Sequence, residues 1–251
     1  MWLSRLSSHT AWLDLFWCTC QTRRPRRIDL NSLGRSGVSE LKRVLFMLLT
    51  VLYIIAITAE AMTGALSAGR RSMDWFGVVL IACVTALGGG SVRDMLLGHY
   101  PLTWVKHPEY LVLCASAALI TVFIAPLMKH FKSLFLVLDA IGLVCFTLIG
   151  CQVALSAGHG GVIAVVCGVM TGVFGGILRD TLCNDVPLVF QRELYASVGL
   201  ATACCYLFGR WLGLPDEQNI LISLFGGFLF RLLAMRNHWE MPKFVYQDDG
   251  H

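Results

Sequence analysis

From about residue 44 onward the chain alternates long apolar runs with short polar breaks. A hydrocarbon core about 30 Å thick takes roughly 20 apolar residues in helical form. On that ruler seven spans appear, at about 44–68, 75–98, 109–128, 134–156, 161–183, 193–212 and 218–235. The breaks hold Arg70 and Arg71, Pro101 to Pro108, Lys129 to Lys132, Gly158 to Gly161, Asn184 to Arg192 and Pro215 to Gln218, the residue types that punctuate helices. Two boundaries are soft. Pro126 sits near the end of the third span, and a few Gly and His residues alone divide the fourth from the fifth. The pattern predicts an all-α integral membrane protein.

Composition agrees. Of the 251 residues, 56% are hydrophobic and 14% are Asp, Glu, Lys or Arg, against about 25% charged in a soluble domain. An ordinary soluble enzyme and a disordered chain are both excluded. The net charge of +4 is uneven: residues 1–43 carry 8 basic and 3 acidic residues, whereas 44–235 carry 10 of each. The body therefore lacks the basic patch that nucleic acid requires. The head is not expected to be a signal peptide, because Ser7, Ser8, His9, Thr10 and Asp14 interrupt its apolar residues and no clean apolar h-region forms. Residues 1–43 are expected to be a disordered leader or a start-site extension, with Met47 as an alternative start. Seven of the ten cysteines, Cys83, Cys114, Cys145, Cys151, Cys167, Cys204 and Cys205, fall in apolar runs and behave as small hydrophobes. No metal-ligand spacing occurs, and no cofactor is expected.

The strongest signal is internal. Residues 89–101 read GGSVRDMLLGHYP and residues 175–187 read GGILRDTLCNDVP, both fitting GG-x-x-R-D-x-L-x(4)-P at an offset of 86. The same offset pairs Gly64 with Gly150, Thr85 with Thr171, and Ala82, Ala86 and Gly90 with Gly168, Gly172 and Gly176. A unit of 86 residues holds three spans, and an odd number of spans makes the second copy enter from the opposite side. Inverted repeats of this kind are a plan of transport proteins, with sites at the repeat interface. The expected architecture is two inverted three-helix repeats plus a seventh helix. The units are a leader at 1–43, repeat 1 at 44–130, repeat 2 at 131–213, and a seventh helix with tail at 214–251. Basic residues in short loops place Arg70, Arg71, Lys129, Lys132, Arg192 and Arg236 on one side, against Lys106 and Arg210 on the other. The C-terminus is thus expected in the cytoplasm.

Charges inside a span cost about 2.5–3.5 kcal/mol each on insertion scales. The chain keeps Arg93, Asp94, Arg179 and Asp180 beside paired glycines and adds Glu60 and Asp139. Adjacent residues on a helix do not face each other, so the expected pairing crosses the repeats, Arg93 with Asp180 and Arg179 with Asp94. Gly88, Gly89 and Gly90, like Gly175 and Gly176, lower the cost of unwinding, and unwound backbone exposes carbonyls to a cation. The plainer alternatives are helix packing for the small-residue stripes, a structural ion lock for the Arg-Asp pairs, and isolated hydroxyl-bonded positions for Glu60 and Asp139.

At these residues, together with LDAIGLVCFTLIG at 138–150 and RELYA at 192–196, the chain resembles the bacterial inner-membrane family whose repeated unit is called a glycine transporter domain. That family is similar in fold to the TRIC (trimeric intracellular cation) channels, especially the prokaryotic ones. The match runs from about Met47 to Tyr246. The resemblance implies seven transmembrane helices, a homotrimer in the lipid bilayer with a pore in each protomer, and kinks in the second and fifth helices at Gly88–Gly90 and Gly175–Gly176. It also implies conduction of potassium and sodium without hydrolysis or a cofactor. The Lys-Glu-Val sequence of eukaryotic TRIC channels is absent. The leading expectation is a passive pore for a monovalent cation, with the four Arg and Asp residues near its constriction. The alternative is a small-solute or glycine-type permease. An intramembrane enzyme lacks a nucleophile with a base, and a purely structural role would leave the Arg-Asp pairs as locks.

Overall fold

The structure, a computed structural model, describes residues 35–125, 131–191, 194–237 and 239. The expectations for residues 1–34, for the Pro126 boundary, for Lys129 and Arg192 and for the tail beyond Trp239 lie outside the described residues. Every regular element among the described residues is helical: α1 (Arg35–Arg70), α2 (Trp75–Leu96), α3 (Thr103–Lys106), α4 (Glu109–Ile124), α5 (Phe131–Ser156), α6 (Gly161–Leu182), α7 (Leu188–Gln191), α8 (Tyr195–Trp211) and α9 (Asp216–Arg236). Five carry stretches long and apolar enough to cross a membrane: Arg43–Arg70 in α1, α2, Ser133–Ser156 in α5, α6 and α9. The other two long helices, α4 and α8, have 16 and 17 residues.

One boundary differs from the sequence expectation. The helix starts at Arg35, ahead of the expected span boundary at 44. The stretch Ser39-Glu40-Leu41-Lys42-Arg43 consists mostly of good helix formers. Adding turns to an existing helix needs no new nucleation.

The repeat is written into the turns as well as the helices. Ser72 and Gly158, 86 apart, both take a left-handed conformation, with φ 53° and 86°. So do Gly98 and Asn184, at φ 64° and 53°. Backbone bonds follow the same rule: Met73 N–H donates to Ala68 (3.2 Å) and His159 to Ala154 (3.1 Å), while His99 donates to Asp94 and Asp185 to Asp180, both 2.8 Å. Each is a helix C-cap in which a left-handed residue returns orphan carbonyls to use. Gly and Asn are the residues that tolerate it at least cost.

The two copies meet where α2 crosses α6. A Cβ on Gly175 would sit 2.5 Å from the Thr85 carbonyl oxygen, and one on Gly89 would collide with the Thr171 carbonyl. Residue 85 meets 175 while 89 meets 171, so the equivalent helices run in opposite directions. Within each copy the packing repeats too. A Cβ on Gly64 would lie 2.7 Å from Ala82 Cα, and one on Gly150 would lie 2.8 Å from Gly168 Cα.

These contacts correct the unwinding expectation. Both helices run unbroken through Gly88–Gly90 and Gly175–Gly176. The glycines at the crossing admit a facing backbone, the role small residues take wherever membrane helices approach closely.

Candidate functional site

Arg93 and Arg179 each stand four residues beyond their crossing glycines, Gly89 and Gly175. Four residues are about 6 Å of helix, and the helices run oppositely, so the two arginines leave the crossing in opposite directions. None of Glu60, Arg93, Asp94, Asp139, Arg179 and Asp180 exceeds 6% exposure.

The expected cross-pairing is not observed. Arg93 Nε and Nη2 donate to its own neighbour, Asp94 Oδ1, at 2.9 and 2.7 Å. Arg179 Nε likewise donates to Asp180 Oδ1 at 2.7 Å. The helix rule holds for side chains that stand straight out. A guanidinium on a three-methylene stem folds sideways and reaches the next residue, and its planar fork suits a carboxylate.

Each aspartate also ties down the segment that follows its helix. Asp94 Oδ2 accepts from the Thr103 backbone N–H at 3.2 Å and from the Thr103 hydroxyl at 2.8 Å. Asp180 Oδ2 accepts from Leu188 N–H at 2.9 Å. The short helices α3 and α7 therefore start on the second oxygen of each repeated carboxylate. In repeat 1 the arrangement is reinforced by Trp104 Nε1 donating to Ser91 Oγ at 3.0 Å.

Beyond this shared frame the two halves differ. Arg179 Nη1 donates to Asp139 Oδ1 at 2.8 Å and to Thr63 Oγ1 at 3.1 Å, and Glu60 Oε2 lies 3.9 Å away. Glu60 and Asp139 are therefore not isolated positions. They come from the first helix of each repeat, α1 and α5, and converge on one guanidinium. That guanidinium also stacks on the Phe135 ring at 4.7 Å, and Arg70 stacks on the same ring at 4.5 Å. At the 86-residue offset Glu60 corresponds to Phe146 and Asp139 to Tyr53. On the Arg93 side the equivalent positions thus carry rings, and Tyr53 packs on Tyr110 (4.8 Å) and Phe146 (6.2 Å).

A small cleft adjoins the acidic half, lined by Gly176, Arg179, Asp180, Leu188 and Tyr195 among others. The Tyr195 hydroxyl at its edge is buried with no hydrogen-bond partner, while Arg231 of α9 lies 4.8 Å over the Tyr195 ring. Thr63, Thr103 and Arg231 carry no sequence motif, and Tyr195 enters the sequence reading only as part of RELYA at 192–196. Arg231 had a usable signal, as an ionisable residue inside an apolar span.

The family model described as Glycine transporter matches residues 50–126 and again 136–211, one match on each repeat. The chain belongs to this family. The UPF0126 inner membrane protein YadS of Escherichia coli is 37% identical over 209 residues, covering 81% of this chain and all of that protein. Among solved structures, the TRIC trimeric intracellular cation channel orthologue from Rhodobacter sphaeroides superposes with a TM-score of 0.73 at 36% identity, covering 75% of this chain and 97% of the channel. A second structure, solved to explain conductance through TRIC cation channels, gives a TM-score of 0.72 at 32% identity over 79% of this chain and 98% of that one. The glycine transporter family chain described here is an all-helical, multi-pass inner-membrane protein with the fold of the TRIC channels, in a lineage of channel-like and transporter-like membrane proteins.

Proposed function

We propose that the chain is a passive channel for monovalent cations of the potassium and sodium class, assembled as a homotrimer with a path through each protomer. The observation that carries this is the likeness to a trimeric cation channel at 36% identity over 97% of that channel's length. The acidic half of the repeat junction supplies a physical reason. Ionisable groups are costly at this depth and are retained mainly along ion paths or in wet cavities.

On this proposal α4 and α8, about 24–26 Å long at 1.5 Å per residue, serve as the third and sixth spans and α9 as the seventh. The units are then the repeats 44–130 and 131–213 and a terminal unit 214–251, with the C-terminus in the cytoplasm. Gly88, Gly89, Gly90, Gly175 and Gly176 form the crossing about which the repeats rock. Arg93, Asp94, Arg179 and Asp180, with Glu60 and Asp139, form the constriction. The charged groups around Arg179 are buried in the conformation described, so on this proposal conduction requires the two repeats to part there.

Reconstitution tests this directly. A channel gives unitary currents in planar bilayers whose reversal potential follows the potassium gradient. A glycine-type permease, the alternative suggested by the family's description, instead gives saturable glycine uptake into proteoliposomes and no unitary current.

A further inference from the structure

We propose that a cavity between α1, α2 and α4 is a binding site for an anionic phospholipid of the bilayer, with an acyl chain inside it and the phosphate against Arg70. This goes beyond the channel proposal and does not depend on it.

The cavity holds about 310 Å³ and lies among the last turns of α1, the start of α2 and the end of α4. That volume is at the lower end of the range for small-ligand pockets. Its walls are mostly apolar, with Ala65 and Leu66 from α1, Val78 from α2 and Val122 from α4. Thr121 also lines it, but the Thr121 hydroxyl already donates to the Ala117 carbonyl at 2.7 Å. Space with such walls offers little to water and accepts hydrocarbon.

The other copy of the repeat shows that the fold does not require this space. At the 86-residue offset Gly69, Thr121 and Ala125 of the cavity wall correspond to Leu155, Leu207 and Trp211. The larger side chains fill the equivalent region. Leu155 packs against the cluster of Ala154, Ala164 and Cys167, and Leu207 Cδ1 comes within 3.4 Å of where a Cβ on Gly161 would lie. In repeat 1 a Cβ on Gly69 would meet nothing within 4 Å. The space is thus made by small residues at three positions, and helix geometry alone does not create it.

One end of the cavity supplies the chemistry for a head group. Arg70, the last residue of α1, lines the cavity, and its guanidinium lies 4.5 Å over the ring of Phe135 near the start of α5. Its contacts to the Leu66 carbonyl and Ser67 Oγ are long, 3.5 and 3.4 Å. A guanidinium has five N–H donors and can hold a phosphate while stacked on a ring. Of the neighbouring charges, Arg71 pairs with Asp185, and Asp74 accepts the Gly77 N–H at 2.7 Å as the N-cap of α2. Selection of the head group therefore falls to Arg70.

The position along the helices suits a lipid. Trp75, another lining residue, is 58% exposed and meets Phe123 edge-on at 5.5 Å. Tryptophan at a helix end is the residue type of the membrane–water interface. Ala65 lies five residues before Arg70 on α1, about 7.5 Å further from the helix end. The cavity therefore takes the first part of an acyl chain while the phosphate stays level with Arg70, and the rest of the chain remains in the bilayer.

Native mass spectrometry of the purified full chain tests the proposal, with anionic phosphatidylglycerol and zwitterionic phosphatidylethanolamine of identical acyl chains added in turn. Wild type is expected to retain phosphatidylglycerol about fivefold more strongly, the effect of one arginine near a membrane surface. Arg70→Gln is expected to remove that preference and still bind both lipids. Gly69→Leu, which installs the residue of the other repeat, is expected to fold with a wild-type melting midpoint and to lose a bound lipid from each chain. Equal retention of the two lipids by wild type overturns the proposal without any variant being needed. So does wild-type lipid occupancy in Gly69→Leu. If that variant keeps its lipid and instead loses its partner copies, a second copy of the chain fills the cavity and the lipid site is disproved.

Discussion

Arg179 makes charge-assisted bonds to Asp139 and Asp180 with no exposed surface. Arg71 pairs with Asp185 where both side chains are about half exposed. Breaking a buried pair strands the partner charge and costs about 3–5 kcal/mol, whereas a surface pair is worth about 0–1 kcal/mol. Arg179→Gln is therefore expected to lower the melting midpoint in detergent by many degrees or abolish folded protein, and Arg71→Gln to leave it nearly unchanged. Similar losses for both variants would contradict the difference in burial. Thr103→Val removes a hydroxyl bond to the buried Asp94 carboxylate, a type worth about 1.5–3 kcal/mol. Its expected signature is early proteolytic cleavage near α3, with α5 and α6 still protected. The charged residues themselves were legible in the sequence, because ionisable groups are conspicuous in apolar runs. Their partners were not. Pairing depends on the reach of a flexible guanidinium and on α1 packing against α5, and neither leaves a trace in residue spacing.

Among the helices, the doubled motif read correctly as an internal repeat, and the structure extends it to caps and turns such as Gly98 and Asn184. The glycine stripes allowed two physical outcomes, unwinding or close packing. Sequence spacing cannot choose, because both need the same missing side chain. The decision belongs to the facing helix, whose Thr85 and Thr171 carbonyls fill the space that a Cβ would occupy at Gly175 and Gly89. Gly89→Ala and Gly175→Ala are each expected to destabilise the protein by about 1–3 kcal/mol through overpacking. Gly226→Ala, in α9 with nothing within 4 Å of the added carbon, is expected to be neutral or to gain up to about 1 kcal/mol of helix propensity. Thermal melts of the three variants under one detergent condition check this. Equal effects at Gly89 and Gly226 would remove the crossing as a tight contact.

At the scale of the whole molecule, two copies of one helical unit run oppositely and share a closed junction whose acidic half is matched by aromatic residues in the other. That asymmetry was invisible in the motif, which is the same in both copies, and lies in Glu60, Asp139, Tyr53 and Phe146. If the acidic half attracts the permeant ion, removing one of its charges lowers selectivity without closing the path. Asp139→Asn is expected to reduce the potassium-over-chloride permeability ratio several-fold, read as a reversal potential that falls toward zero in a potassium chloride gradient. The most direct test remains current itself. Purified protein in a planar bilayer under a tenfold potassium chloride gradient should give unitary currents that reverse near the potassium equilibrium potential. A silent bilayer from protein shown to be folded and trimeric, beside saturable glycine uptake by the same preparation, would contradict the channel and establish a permease in its place.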